Sequence, residues 1–382
     1  MEFTDKQKKF QDRVREFCKQ EVEPHAARID REGVFPHDVM DKVADFGLFG
    51  CVAPKEYGGL GLDTVSYIIA VEELSRVCGS TGITVAAHNS LGVMPFLLFG
   101  NQDQIEEFVP TLAKGKEGLG AFGLTEPEAG SDAGGTKTTG VKDGDDWIIN
   151  GNKCFITNAG EAKTLVITAK TEKVPGSRGI SSFIVDKDTP GFIVGKKEDK
   201  MGLRGSDTRE LAFENMRLSS DKLLGNEGEG FKQFMIILDG GRISIGAMAL
   251  GLAQGAFDCC LKYARNRKKL NCPITDFQAI QWKLADMYTK IQCARHLIYH
   301  SARLEDAHQK FTTESAMAKL YASEIATEIA HDAIQVVGGR GYMEDMPLER
   351  IYRDVRLCEI GEGTSEIQRL VIARDLIKKV LD

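Results

Sequence analysis

Apolar positions near the start of the chain recur at the spacing of an α-helix. The stripe consists of Phe10, Val14, Phe17, Cys18 and Val22, with steps of 4, 3, 1 and 4 residues, and such steps place side chains on one helical face. Thr4 with Gln7 has the pattern of a capping box just before the stripe. Helical patterns continue to about residue 117, with predicted breaks at Pro36, Pro54, Gly58-Gly59 and Pro95. The pattern predicts an N-terminal helical domain over residues 1–117.

Short apolar runs separated by turn residues replace this pattern between residues 118 and 227. The predicted strands include Leu165–Thr168, Ile180–Val185, Phe192–Val194 and Leu211–Phe213. Asp143-Gly144 is the signal of a β-hairpin. Because no helical crossover lies between the runs, the pattern favours a compact β-barrel or sandwich over a parallel sheet.

Long helical patterns return over residues 228–382. One stripe consists of Ile280, Leu284, Met287, Ile291, Ala294 and Ile298, a spacing typical of helices that pack in a bundle. Ser365 with Gln368 is predicted to form a capping box at the start of the last helix. The predicted organisation is therefore α, then β, then α, an α+β fold with three domains.

Composition narrows the classes of function. The chain has 382 residues and a formal net charge of −7, which argues against broad nucleic-acid binding because that needs a basic surface. The uncharged stretch from Val77 to Gln102 contains too many polar residues to be a membrane span. The charged N-terminus has no pattern of a secretory signal or an Arg-rich transit peptide.

The nine cysteines indicate an intracellular protein. Their number is odd and no two have C-x-x-C spacing, so a disulfide scaffold and a zinc ribbon are excluded. We expect reduced thiols, in the bacterial cytoplasm or, for a mature eukaryotic form, in the mitochondrial matrix.

Several common site motifs are missing from the sequence. It has no G-x-G-x-x-G between a strand and a helix, no phosphate-binding P-loop and no G-x-S-x-G. His296 and His300 stand four residues apart on a helix, but no third ligand lies near them in the sequence. We therefore predict no metal site.

Four other motifs follow one another along the chain. They are Gly123–Asp132, Phe155–Ala159, Gln335–Tyr342 and Gly361–Glu366. In this order, within an α–β–α frame, they resemble the acyl-CoA dehydrogenase family, and the length resembles its short-chain branch. The resemblance implies an N-terminal helical domain (1–117), a central β-barrel domain (118–227) and a C-terminal four-helix-bundle domain (228–382).

The resemblance also implies FAD as the cofactor. The implied flavin contacts are Phe122, Leu124, Thr125, Ser131, Phe155, Ile156 and Thr157, and those of the adenosine diphosphate half are Arg267, Gln278, Gln335, Gly338 and Gly339. Thr364, Ser365 and Glu366 would complete the site at a helix N-terminus. The family often has Trp at Phe155 and commonly has Phe-Gly at Leu270-Asn271. Because the family's FAD reaches a neighbouring subunit, we expect a homo-oligomer, a tetramer.

The implied reaction is α,β-dehydrogenation of an acyl-CoA, with Glu362 as the base that removes the α proton. The expected substrate contacts are Ser131, Asp239, Arg242, Gly361 and Gly363. One branch of the family takes its base from the position of Gly241, which has no carboxylate here. Since straight-chain relatives usually have Tyr at Gly361, we expect room for a branched or cyclic short acyl group.

The expected electron acceptor is an electron-transfer flavoprotein. Two alternatives stay open: an oxidase that uses oxygen, and a non-catalytic family member that binds flavin or acyl-CoA.

Overall fold

The N-terminal part of the chain is helical. The computed structural model describes residues 2–172, 174 and 176–381. The helices are α1 (Asp5–Phe17), α2 (Ala26–Glu32), α3 (His37–Phe46), α4 (Thr64–Val77), α5 (Gly79–Ala87), α6 (Met94–Phe99) and α7 (Gln102–Lys114). The capping box of Thr4 and Gln7 is confirmed at the start of α1.

The predicted break at Pro95 is wrong. Helical structure is continuous from Gly79 to Phe99, through a π-helical turn at His88–Val93. Pro95 lies in the first turn of α6, where a missing backbone N–H is tolerated. This stretch and residues 230–266 are long and apolar enough to cross a membrane, but 72% of each apolar window is buried inside the protein. Both therefore pack as core helices.

The central part of the chain forms one mixed sheet. Its strands are β1 (Leu119–Gly123), β2 (Thr139–Asp143), β3 (Asp146–Thr157), β4 (Ala162–Lys170), β5 (Ile180–Asp186), β6 (Phe192–Lys197), β7 (Thr208–Leu218) and β8 (Leu223–Leu224). Their order is β6-β7-β3-β2-β4-β5-β8, and β1 pairs with β4. The predicted hairpin at Asp143-Gly144 is confirmed, since β2 and β3 pair antiparallel around it.

The expectation of a β-barrel is wrong, because this sheet does not close. Among the described residues, the edge strands β6 and β8 do not pair with each other. The last strand has two residues, and the chain enters a long helix at Gly230 soon after it. The pairing is also not all antiparallel, since β1 and β2 both run parallel to β4.

The C-terminal part is a helical bundle. Its helices are α8 (Gly230–Asn266), α9 (Gln278–Asp306), α10 (Thr312–Val337), α11 (Leu348–Asp354) and α12 (Ser365–Leu381), and a small hairpin of β9 (Lys268–Lys269) and β10 (Cys272–Pro273) joins α8 to α9. Helix α8 packs against both α4 and α10. One buried apolar cluster consequently runs from Phe10 of α1 to Cys358, before α12.

The cap of α12 differs from the prediction. The Oγ1 of Thr364 accepts from the N–H of Ile367 at 3.4 Å, so Thr364 is the capping residue. The hydroxyl of Ser365 is buried without a hydrogen-bond partner. The predicted capping box of Ser365 and Gln368 is therefore wrong, because the amide of Gln368 binds carbonyl groups of the preceding turn instead.

Candidate active site

Glu362 lies in the tight turn just before α12. Its φ is +51°, a left-handed conformation that costs about 1 kcal/mol or more for a residue other than glycine. The side-chain amide of Gln368 donates to the carbonyls of Glu362, at 3.2 Å, and Gly363, at 2.9 Å. The carboxylate Oε2 is buried and has no hydrogen-bond partner among the described residues. The turn is thus fixed through its backbone while the carboxylate stays unoccupied by protein donors.

Two glycines in the middle of α8 make room for carboxylates. A β-carbon at Gly241 would lie 2.3 Å from Oε2 of Glu362, and one at Gly240 would lie 3.1 Å from Oε1 of Glu305. A contact of 2.3 Å is closer than a β-carbon tolerates, so any side chain at position 241 would push the Glu362 carboxylate out of its observed place. This close approach explains why Gly-Gly is found inside a helix, although each glycine destabilises a helix by about 1 kcal/mol relative to alanine.

Burial sets the proton affinity of Glu362. Desolvation raises the pKa of its carboxyl from 4.5 to about 7, although the positive charges of Lys319 and Arg242 lower it. Desolvation disfavours the ionised form of a carboxyl group. A base with a pKa near the working pH is suited to proton transfer.

Buried Arg242 pairs with half-buried Asp239, one turn away on α8. The guanidinium donates to Asp239 Oδ1 at 2.5 Å, and the hydroxyl of Thr312 donates to Oδ2 at 2.6 Å. Burial lowers the pKa of Arg242 and raises that of Asp239. The Nε of Arg242 is buried with no partner among the described residues, so the pair retains an unused donor close to Glu362.

Phe155 is presented to solvent by an irregular stretch of β3. The register of β3 against β7 shifts between Lys153 and Ile156, as in a β-bulge, which can turn a side chain outward. Phe155 has a φ of +59° and is 67% exposed. The N–H of Cys154 donates to the carbonyl of Thr125 at 2.8 Å, so the first two motifs lie side by side.

The other predicted flavin contacts differ in how far their side chains are exposed. Phe122 is buried and stacks on Phe234 at 5.7 Å between centroids, and Ile156 is buried in the sheet core. Thr157, Leu124 and Thr125 are half-buried and Ser131 is exposed. Phe122 and Ile156 therefore have little side-chain surface for a ligand, whereas the others have some.

Sequence analysis missed a buried ion pair that holds the loop after β1. Lys153 Nζ donates to Glu126 Oε1 at 2.7 Å, to the carbonyl of Leu124 at 3.0 Å and to Thr168 Oγ1 at 3.2 Å. Glu126 Oε2 accepts from the N–H of Lys137 at 2.6 Å. Both ends of the loop are thereby attached to β3 next to Phe155. The available signal was Glu126 inside the first motif and Lys153 two residues before the second.

The residues expected at the adenosine diphosphate half lie on the surface. Arg267, Gln278, Gln335, Gly338 and Gly339 are all exposed, and among the described residues no hydrogen bond joins their side chains to the Glu362 turn. Gly338 ends α10 with a φ of +75°, and a β-carbon on either glycine would meet no atom within 4 Å. The space above them is open to a ligand or a second subunit.

Two buried polar residues of the π-helical turn serve the fold. His88 Nδ1 accepts from the N–H of Gly120 at 3.0 Å, so its Nε2–H donates to the carbonyl of Leu112 at 2.9 Å. Asn89 bonds to the carbonyls of Leu48 and Val85. Their polar groups are thus used by backbone partners. In the part of the chain described, no cluster of His, Cys, Asp and Glu could hold a metal ion.

The exposed ring and the open glycines fit a flat, phosphate-bearing cofactor. Phe155 offers an aromatic face at a strained backbone position, and strain of this kind concentrates at ligand sites. Ser365 has an unpaired hydroxyl at the N-terminus of α12, where backbone N–H groups favour polar or anionic ligand atoms. These residues fit the FAD that the resemblance implies.

Comparison with known proteins covers the whole chain. Models of the acyl-CoA dehydrogenase N-terminal, middle and C-terminal domains match residues 4–116, 121–216 and 228–377. A probable acyl-CoA dehydrogenase of Bacillus subtilis is 51% identical over 378 residues, which are 99% of each chain. The mitochondrial short-chain specific acyl-CoA dehydrogenase of Mus musculus is 48% identical, over 95% of this chain and 88% of that protein. The solved butyryl-CoA dehydrogenase of Megasphaera elsdenii superposes with a TM-score of 0.96 at 40% identity, covering 99% of each chain.

Proposed function

This chain belongs to the acyl-CoA dehydrogenase family of flavin-dependent oxidoreductases, and from that premise we propose that it converts a short-chain acyl-CoA to the 2-enoyl-CoA. The observation that carries the proposal is the buried carboxylate of Glu362, which has an unpaired oxygen and a pKa raised to about 7 by burial. Relatives that are named for short-chain substrates and for butyryl-CoA support the substrate class.

Glu362 acts as the base in this proposal. Its carboxylate takes the α proton, the β hydrogen leaves with the electron pair of its C–H bond, and the carbon–carbon double bond forms between the two carbons. No donor in the described part of the chain binds Oε2, so the oxygen is free to receive the proton. The left-handed turn and the lack of side chains at Gly361 and Gly363 leave space for the thioester beside it.

FAD is the proposed cofactor, and it supplies a two-electron acceptor for the β hydrogen. We assign its flavin half to Leu124, Thr125, Ser131, Phe155 and Thr157, with Phe122 and Ile156 supporting from the core. The adenosine diphosphate half would be held by Arg267, Gln278, Gln335, Gly338, Gly339 and the Thr364, Ser365 and Glu366 helix start. Arg267 is an exposed guanidinium, a group suited to bind a pyrophosphate.

The CoA part of the substrate is assigned to the α8 pair. Arg242 has a buried, unpaired Nε–H that a ligand oxygen could accept from, and Asp239 holds the guanidinium in place. Ser131 is exposed on the loop after β1 and offers a further hydroxyl. A side chain at Gly361 would meet only the ordinary contact of Leu357 at 3.5 Å, which supports room for a branched or cyclic acyl group.

The partners of the protein follow from the same proposal. We propose an electron-transfer flavoprotein as the acceptor and a homotetramer as the assembly. Large apolar side chains are exposed on the C-terminal helices and on the short 3-10 turn after α10 (Gly338–Tyr342). They are Trp282, Tyr288, Tyr342, Leu370, Leu376 and Ile377, and a second copy would cover them. The nine cysteines are free, in agreement with a reducing compartment such as the bacterial cytoplasm or the mitochondrial matrix.

Anaerobic titration of the yellow protein with acyl-CoA tests this function. Butyryl-CoA and its branched and cyclic analogues should bleach the flavin band of the wild type, whereas Glu362→Gln should bind them without bleaching. Glu305→Gln is the matched control, because it removes a half-buried carboxyl next to α8 and should still bleach. Bleaching by Glu362→Gln would contradict the assignment of the base, rapid reoxidation by air would indicate an oxidase, and binding without bleaching by the wild type would indicate a non-catalytic protein.

A further inference from the structure

Lys319, in the middle of α10, is a buried cation without an ion pair. It has 0% exposure, and among the described residues no carboxylate lies within ion-pair distance of its Nζ. Its one hydrogen bond goes to the carbonyl of Gly363 at 2.7 Å. Burial of an ammonium group without a counter-charge destabilises a fold by several kcal/mol. Stability alone therefore does not explain a lysine at position 319.

That hydrogen bond attaches α10 to the turn that carries Glu362. The carbonyl of Gly363 accepts from Lys319 and from the amide of Gln368, so both of its lone pairs are used. The turn is therefore held from α10 on one side and from α12 on the other. Neither donor reaches the Glu362 carboxylate, whose Oε2 stays unpaired.

The charged groups around Glu362 come from three elements. Arg242 of α8 is neutralised by Asp239 at 2.5 Å. Glu359, from the short helix before the turn, is compensated by Arg356 at 2.5 Å. Lys319 of α10 has no such counter-charge. Of the two cations that act on Glu362, Lys319 is thus the one without a carboxylate at ion-pair distance among the described residues.

Cys358 and Tyr67, two further titratable groups near Glu362, are neutral at pH 7. Burial raises the pKa of the Cys358 thiol to about 12 and that of the Tyr67 hydroxyl above its ordinary value. Burial lowers the pKa of Lys319 to about 8, while the negative charge of Glu362 opposes this. Lys319 is consequently still protonated in most molecules at pH 7.

We propose that Lys319 is a positioning residue for the base: it anchors the Glu362–Gly363 turn through the Gly363 carbonyl and supplies the positive charge that keeps the Glu362 carboxylate ionised. This inference rests on the proposed role of Glu362. Its direction agrees with the effect of Lys319 on the carboxyl, which lowers a pKa that burial raises.

Three variants separate charge from structure. Lys319→Gln retains a donor for Gly363 but removes the charge, and Lys319→Arg retains both. Lys283→Gln is the control, since Lys283 is a half-exposed lysine of α9 that pairs with Asp332 of the same α10. Each is purified as the flavin-containing protein and checked by circular dichroism for a wild-type fold.

The pH dependence of flavin reduction by butyryl-CoA is the first readout. In Lys319→Gln we expect the acid limb to move to higher pH by about one unit, which lowers the rate at pH 6.5 by about tenfold and leaves the alkaline plateau within a few-fold. Lys319→Arg and Lys283→Gln should retain the wild-type limb. A purely structural role would lower the rate equally at every pH, and that result would overturn the proposal.

Infrared titration of the carboxyl itself is the second readout. The C=O band of protonated Glu362 is identified as the band missing from Glu362→Gln, and its midpoint should rise in Lys319→Gln by the same amount as the kinetic limb. An unmoved band would overturn the inference, even if Glu362→Gln is inactive. A moved band together with an active Glu362→Gln would instead sustain the coupling and refute the proposed base.

Discussion

The absence of a side chain at Gly241 leaves the space that the Glu362 carboxylate occupies. A β-carbon at this position would stand 2.3 Å from Glu362 Oε2, whereas one at Gly240 would stand 3.1 Å from the flexible end of Glu305. The first contact displaces the carboxylate by a large fraction of an ångström or more, and the second requires only a small shift. Gly241 therefore preserves the position of the Glu362 carboxylate, whereas Gly240 only leaves room for the end of Glu305.

Gly241→Ala should consequently impair catalysis far more than Gly240→Ala. A displacement of about 1 Å in a reacting group can cost on the order of 100-fold in rate, so we expect a loss of roughly that size in kcat for Gly241→Ala. Gly240→Ala, which adds the same methyl group to the same helix, should stay within a few-fold. Steady-state kinetics at the pH optimum measures both, and equal losses would contradict the contact described.

At the residue scale, prediction from sequence depends on how local the signal is. The sequence pointed to Glu362 because two glycines flank it before a helix, and the structure shows that its carboxylate is buried. Lys319 was missed because a lysine within a helix is normally a solvated residue. Its neighbours one turn away, Ala316 and Ala322, are buried, and a lysine on such a small-residue face was the available signal.

At the scale of the element, the hairpin between α8 and α9 contains a strained turn. Leu270 and Asn271 join β9 to β10 with φ values of +51° and +65°, as a type I′ turn requires. Leucine is unfavourable there by about 1–2 kcal/mol. The sequence did not predict this hairpin, because Leu-Asn differs from the usual hairpin signal Asn-Gly.

Leu270→Asn should therefore stabilise the hairpin by about 1 kcal/mol. Asparagine tolerates the left-handed conformation, and the Leu270 side chain is 79% exposed, so little packing is lost. Amide hydrogen exchange of Ile274, whose N–H donates to the carbonyl of Arg267 at 2.9 Å, should slow by roughly fivefold. Leu62→Asn, in a half-buried loop of the N-terminal part, is a control that should leave this amide unchanged.

Strand positions and sheet closure differ in how far sequence can predict them. Runs such as Ile180–Val185 are local and were found where the strands lie. Closure depends on which edges meet, and that is decided by the shortness of β8 and by the helix that follows it. The shift of the α12 cap from Ser365 to Thr364 has a similar origin, since the Gln368 side chain is drawn to the Glu362 turn.

At the scale of the whole molecule, Glu362 reduces the stability of the protein that contains it. Folding raises the pKa of this carboxyl from 4.5 to about 7, so the folded state binds its proton more tightly than the unfolded chain. The resulting penalty is absent below about pH 4.5, grows between pH 4.5 and 7, and is complete above. A difference of this size corresponds to up to ~3 kcal/mol.

Glu362→Gln should therefore unfold at a higher urea concentration than the wild type at pH 8. The two proteins should differ little at pH 4.5, where the wild-type carboxyl is protonated in the folded state and already half protonated in the unfolded chain. Urea unfolding at the two pH values, with flavin content matched, measures this difference. Glu117→Gln, which removes an exposed carboxyl, should show no such pH-dependent gain, and a wild type more stable than Glu362→Gln at pH 8 would refute the penalty.

The predicted α–β–α order is present, but the helical parts are not independent. Residues from Phe10 to Cys358 share one apolar core because α8 packs against α4 as well as α10. Sequence periodicity identifies the buried face of each helix and carries no information on which helix covers it. The proposed boundaries at residues 118 and 228 thus separate segments of the sequence, but the N-terminal and C-terminal segments share one hydrophobic core.

The contact between position 241 and Glu362 also limits how this architecture can evolve. A second glutamate on α8 at that point would compete with Glu362 for the same volume. To move the catalytic glutamate from the turn to α8, a lineage would first have to lose the glutamate of the turn and pass through an ancestor without the reaction. The alternative is two simultaneous substitutions. Such a relocation of the base should be rare, and each branch of the family should retain the position that it has.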